Sequence, residues 1–148
     1  MKVRLVSLGC KVNQYEIQAL AALFSERGYA VTEQNDADIV VVNSCTVTSL
    51  ADRKTRQVVR RLRREMPNSV IALTGCMPQA DPAAAAKLSE ADSVTGVTDR
   101  AKLIGMIERQ LESRERSVSV TPFSADELFE PLSAEKFSDS FQSAYLKI

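Results

Sequence analysis

Histidine is absent from the 148 residues. Its absence removes the commonest general base near neutral pH, every Ser-His-Asp or Cys-His arrangement, and zinc sites built on imidazole. Cysteine is scarce: three residues, an odd number, no two of them spaced as CxxC. That argues against a disulfide framework and against a thioredoxin-like redox motif. Net charge is absent as well, 19 Lys and Arg balancing 19 Asp and Glu. No global field therefore points to nucleic acid or membrane, and any such partner needs a local patch. No apolar stretch approaches the ~20 residues that span a bilayer. Met1 to Leu8 is too short for a secretory signal, and no small-residue cleavage site follows it. A cytoplasmic, monomeric protein without a membrane partner is expected. Neither GxGxxG nor the P-loop signature occurs, so a nucleotide-binding α/β module has little behind it. Chemistry is left to the thiols or to an imported cofactor.

What is present alternates. With 45% hydrophobic and 26% charged residues, the chain has the composition and length of one soluble domain with a real core. Val3 to Leu8 reads as a buried strand, followed by a helix in which Ile17, Leu20, Ala21 and Phe24 recur at i, i+3, i+4 and i+7. Asn13 is placed to cap that helix and Gly28 to end it. "YAVTEQ" suits a short edge strand, and "DADIVVVNSC" is a second buried strand. "SLADRKTRQVVRRLRREMPN" is helical, with Val58, Val59, Leu62 and Met66 on one face and Pro67 closing it. "SVIALTGC" follows as a third strand. Asp81-Pro82 starts a short helix, "SVTGV" is a weaker strand, and Arg100 to Leu111 a last helix with Leu103, Ile104 and Ile107 inward. Continuous apolar strands separated by amphipathic helices predict a doubly wound, Rossmann- or flavodoxin-like α/β fold. Four to five parallel strands with helices on both faces are expected. Beyond Leu111 the pattern dissolves into a polar, Pro-punctuated stretch that reads as a linker over 112–140. Residues 141–148 look like the start of a further strand, as in a truncated chain.

All three cysteines, Cys10, Cys45 and Cys76, close the ends of apolar strands, and each follows a small residue: Gly9, Ser44 or Gly75. In parallel α/β sheets ligands sit outside the carboxyl ends of the strands, and small residues there allow close approach of a bulky ligand. Thiolates near helix N-termini bind soft metals. A Cys-only zinc site wants a fourth ligand that is not evident. An iron–sulfur cluster on three thiolates is more natural, since it leaves one iron open. Plain packing of buried cysteines, or a thiol sensor whose cysteines react rather than ligate, are the competing readings. Apart from them, Arg53, Lys54, Arg56, Arg60, Arg61, Arg63 and Arg64 crowd one helix with no acid inside the run. They form either a solvated face or a contact for nucleic-acid phosphate.

"SLGCKVNQYE", "VVNSCTVTSLADRKTRQ" and "ALTGCMPQ", in that order, resemble the N-terminal domain of radical S-adenosylmethionine methylthiotransferases, over roughly residues 1–111. Lysine-valine-asparagine after the first cysteine is most similar to the branch acting on threonylcarbamoyladenosine in tRNA. The isopentenyladenosine tRNA and ribosomal-protein branches are the alternatives. The resemblance implies that Cys10, Cys45 and Cys76 hold an auxiliary 4Fe–4S cluster whose open iron carries the sulfur to be inserted. It implies a second 4Fe–4S cluster and S-adenosylmethionine on a CxxxCxxC triplet in a following barrel domain, which this chain lacks, so no turnover is expected from it alone. "FQSAYLKI" resembles the strand leading into that triplet. Asn13 and Asn43 are then candidate cofactor-binding residues, their amides donating to cluster sulfides, beside the plainer roles of helix cap and strand-end partner. "GCMPQ" departs from the tyrosine-alanine more usual after the third cysteine, which puts the contacts of Met77 and Pro78 in question.

Overall fold

In the computed structural model, the described residues are 1–9, 11–45, 49–97 and 100–121. They alternate as β1 (Lys2–Ser7), α1 (Lys11–Glu26), β2 (Ala30–Thr32), β3 (Ile39–Ser44), α2 (Ser49–Glu65), β4 (Val70–Gly75), α3 (Cys76–Ala80), α4 (Pro82–Ala86), β5 (Ser93–Thr95), α5 (Arg100–Ser113) and β6 (Ser117–Ser119). The strands form one sheet in the order β2-β1-β3-β4-β5-β6, every pair parallel. The doubly wound α/β reading holds, with six strands instead of four to five. The sixth, β6, and the last residues of α5 lie beyond Leu111, inside the stretch read as linker. "SVS" is too short to carry a readable apolar alternation, and its pairing with β5 comes from tertiary contact. The remainder of that stretch and the reading of 141–148 fall outside the described residues.

The two central strands explain the core. Every residue of β3 and β4 is buried, because helices cover both faces of the sheet. Ile39, Val41, Val70 and Ala72 face a cluster with Leu20 and Phe24 of α1 and Leu103, Ile104 and Ile107 of α5. Val40, Val42, Ile71 and Leu73 face another with Val58, Val59 and Leu62 of α2, and with Met77 and Ala85. Each fully buried aliphatic side chain is worth about 1.5–3 kcal/mol. Three such residues, Val58, Val59 and Leu62, therefore seat α2 despite its load of exposed cations. The α1 stripe of Ile17, Leu20, Ala21 and Phe24 is buried as expected. The helix closes where Tyr29 N–H donates to Phe24 O at 3.0 Å and Gly28 N–H to Ser25 O.

Strand order decides where a site can form. From β1 the chain passes outward to β2, then returns across β1 to β3 and proceeds the other way. The carboxyl ends of β1 and β3 thus flank the switch point, the place where such sheets open a crevice. Cys45 directly follows β3, and Cys76 directly follows β4, the next strand along. Cys10 lies outside the described residues, between Gly9 and the first residue of α1.

Candidate metal centre

At this edge the chain is drawn tight. Ser7 of β1 stands in register with Asn43 of β3, and Ser44 with Gly75 of β4. Gly9 has φ +141° and Gly75 φ +107°, conformations that side chains resist. Space forbids them too. A methyl group on Gly9 would lie 2.5 Å from Cys45 Cβ and 3.3 Å from its Sγ. On Gly75 it would lie 2.5 Å from both Asn43 Oδ1 and Ser44 O. Small residues here are expected to admit a bulky ligand; in the structure what presses on the two glycines is the protein, as neighbouring strand ends approach each other. Ser44 is small for a different reason. It is buried, its Oγ donating to Thr74 O at 2.9 Å and accepting from Met77 N–H at 3.3 Å.

Asn13 does not cap α1. The helix begins two residues earlier, at Lys11, so Asn13 stands inside the first turn and points into the protein, 2% exposed. Its Nδ2 donates to Asn43 Oδ1 at 3.2 Å and to Ser44 O at 3.0 Å. Asn43, fully buried, donates from Nδ2 to Glu16 Oε2 at 3.2 Å and to Asn13 O at 3.4 Å. The four amide hydrogens of the pair thus meet protein acceptors. Glu16 escaped the sequence reading, although a signal existed: Asn13 and Glu16 continue, in polar form, the inward stripe of Ile17, Leu20 and Phe24.

The donor set suits a soft metal group. Cys45 is 5% exposed and Cys76 is exposed, on adjacent strand ends. Gly9, the chain neighbour of Cys10, packs against Cys45 itself. Among the described residues, no three Cys, Asp, Glu or His side chains gather as a metal-holding set, and Cys10 stands outside them. Two thiols on adjacent strand ends, with a third cysteine next in sequence to Gly9, are a donor set of the soft kind that an iron–sulfur cluster takes.

Behind Cys76, the "MPQ" that departs from the usual pattern is absorbed by the fold. Met77 and Pro78 are buried. Gln79 accepts from Val97 N–H at 3.0 Å through Oε1 and donates to Thr121 O at 2.9 Å through Nε2.

On α2 the seven cations part company. The acids missing from the run arrive from elsewhere. Arg56 pairs with Asp52 at 3.0 Å, Arg60 with Glu90 at 3.5 Å and Arg61 with Glu65 at 3.8 Å. Arg63 turns inward, donating to the carbonyls of Pro67, Ser69 and Glu90 and to the Asp92 carboxylate. Arg53, Lys54 and Arg64 are exposed, and Arg60 and Arg61 stay more than half exposed beside their acids. The patch is thinner than its sequence suggests.

Residues 2–96 match the family described as Uncharacterized protein family UPF0004. The chain belongs to that family. Among curated relatives, threonylcarbamoyladenosine tRNA methylthiotransferase MtaB of Bacillus subtilis is 40% identical over 143 residues, 96% of this chain and 32% of its own length. Its namesake from Aquifex aeolicus is 40% identical over 121 residues, 81% of this chain and 30% of its own. The tRNA-2-methylthio-N(6)-dimethylallyladenosine synthase of Pelotomaculum thermopropionicum is 28% identical over 142 residues, 91% of this chain and 32% of its own. This UPF0004 chain spans about a third of the length of these relatives. The likeness to methylthiotransferases, nearest the threonylcarbamoyladenosine branch, stands. No helix among its described residues is long and apolar enough to cross a membrane.

Proposed function

We propose that this chain is the sulfur-carrying part of a tRNA methylthiotransferase that adds a methylthio group at carbon 2 of threonylcarbamoyladenosine beside the anticodon. The carrying observation is the placing of strand-end cysteines beside the switch point: Cys45 follows β3 and Cys76 follows the neighbouring β4, with Gly9 packed on Cys45. Cys10, Cys45 and Cys76 would hold an auxiliary 4Fe–4S cluster, which when bound supplies an open iron to carry the sulfur. The chain's own residues bind and orient. Cys45 is buried and Cys76 exposed, so the centre would have one ligand shielded from solvent and another open to it. Asn13 and Asn43 serve the centre by holding the strand ends, their amide hydrogens being engaged within the protein.

The branch assignment is supported by the identities, 40% to proteins named for threonylcarbamoyladenosine against 28% to the one named for dimethylallyladenosine. With three cysteines in all, the chain has none left for a CxxxCxxC triplet. Radical generation from S-adenosylmethionine on a second 4Fe–4S cluster falls to a segment outside these residues, and the 148 residues alone do not turn over. A tRNA substrate supports a cytoplasmic location. Its phosphates meet the exposed cations of α2, with Arg53, Lys54, Arg60, Arg61 and Arg64 in contact and Arg56 and Arg63 held back by their partners. Reversing Arg60 and Arg61 to Glu lowers tRNA affinity more than reversals elsewhere on the surface. Equal losses everywhere count against the contact.

Anaerobic reconstitution with iron and sulfide tests the centre. About four irons per chain are expected, with cluster absorption lost in Cys10→Ala, Cys45→Ala and Cys76→Ala alike. Colourless protein in a chain extended through the triplet region as well would reject the reading.

A further inference from the structure

Three contacts of the buried amide pair share a pattern. Asn13 Oδ1 lies where a methyl group on Gly9 would come within 2.9 Å of it. Asn13 Nδ2 donates to the carbonyl of Ser44. Asn43 Oδ1 lies where a methyl group on Gly75 would come within 2.5 Å of it. Gly9, Ser44 and Gly75 are the residues immediately before Cys10, Cys45 and Cys76. Two asparagines thus touch the residue preceding every cysteine of the chain.

An amide side chain has two ends, donor and acceptor, and can sit either way round. A carboxylate has no such freedom, since it only accepts. Glu16 is 4% exposed, and its Oε2 receives Asn43 Nδ2. With nitrogen turned to Glu16, Asn43 must present Oδ1 to Asn13, where it receives Nδ2. Asn13 is then obliged to face Gly9 with Oδ1 and to spend its other hydrogen on Ser44 O. Reversing Asn43 would set oxygen against carboxylate and nitrogen against nitrogen. One carboxylate therefore sets the polarity of the whole hub. Burying it is costly unless it is hydrogen-bonded, and the neighbouring inward positions of α1, Ile17 and Leu20, are filled with hydrocarbon.

We propose that Glu16 is a positioning residue for the three-cysteine edge: through Asn43 and Asn13 it holds the residues preceding Cys10, Cys45 and Cys76 in one arrangement. What those cysteines hold rests on the function proposed above; the hub itself does not.

The test is Glu16→Gln, which keeps size but, offering a donor as readily as an acceptor, no longer dictates which end of Asn43 it meets, paired with the double variant Glu16→Gln/Asn43→Asp. In the double variant the new carboxylate at position 43 accepts from the new amide at position 16 and from Asn13 Nδ2, so one carboxylate again fixes the polarity, without the bond from position 43 to Asn13 O. On iron-free protein, Glu16→Gln is expected to weaken hydrogen-exchange protection of the Asn13 side-chain amide. It also speeds reaction of the buried Cys45 thiol with a soluble disulfide reagent, each by about tenfold, the scale of one lost charged hydrogen bond. On reconstituted protein, the electron paramagnetic resonance signal of the reduced cluster shifts or broadens. The double variant moves each readout back toward wild type. A folded Glu16→Gln protein with unchanged exchange, thiol rate and signal overturns the proposal. So does a double variant that rescues nothing. If Glu16→Gln does not fold, the double variant decides alone, by the Cys45 rate. If wild-type protein takes up no iron, the function above fails, while the exchange and thiol readouts still judge Glu16.

Discussion

The two ends of the sheet are held together by different chemistry. At the amino end the ties are charged side chains. Arg63 reaches the carbonyls of Pro67, Ser69 and Glu90 and the carboxylate of Asp92. Asp92 in turn accepts from Ile71 N–H at 2.9 Å. Arg116 donates to the carbonyls of Ala91 and Leu88, and Lys2 pairs with Asp36. At the carboxyl end the ties are neutral amides, hydroxyls and glycines in contact with one another, with Glu16 as the buried charge. Long charged side chains span gaps and tolerate solvent, so their end can shift by fractions of an ångström at little cost. Glycines pressed against neighbouring strand ends cannot, because packed interiors transmit strain. Stability is distributed over the first end, and geometry is concentrated at the second.

Gly75→Ala breaks the comparison most sharply. The positive φ with ψ −156° lies in a region that is essentially glycine-only and costs about 1–3 kcal/mol, and overpacking against Ser44 O and Asn43 adds about 1–3 kcal/mol. Thermal melting should fall by several degrees, and iron per chain should drop out of proportion to the fraction unfolded. Equal losses of fold and iron would erase the distinction between the ends. Arg63→Ala is the counterpart. It removes the amino-end clamp of a side chain one-quarter exposed, so water repairs part of the loss, about 1–3 kcal/mol remaining. Denaturant midpoint drops while iron uptake by the folded fraction stays at the wild-type level. Iron lost from folded Arg63→Ala protein would mean that the two ends are coupled.

The smallest effect belongs to Lys2 and Asp36, both on the surface. Their hydrogen bond holds the Asp36 carboxyl below the usual carboxylate range and the Lys2 ammonium above its ordinary value. A lowered carboxylate contributes stability above its unfolded pKa of about 4 and loses it as pH falls below that. Asp36→Asn should therefore narrow, slightly, the difference in unfolding midpoint between pH 7 and about pH 2.5, leaving the cysteine edge unaffected. An unchanged difference would take this pair out of the amino-end account.

Much of this molecule is legible along the chain. Periodicities of two and 3.6 are local, so the inward stripes of α1, α2 and α5 and the continuously apolar β3 and β4 follow from spacing alone. So does the placing of cysteines after strands, since a strand end is marked by residues adjacent in sequence. Partners are another matter. Asn13 and Asn43 are 30 residues apart, Glu16 and Asn43 27, and Arg63 and Asp92 29. Nothing at one position announces the other. A polar residue on an inward stripe says only that a partner exists, and a dense run of arginines does not say which of them turns inward. Apolar burial is non-directional and leaves its mark in composition and period. Hydrogen bonds and close backbone contacts are directional, and they take their identity from the order in which the strands assemble.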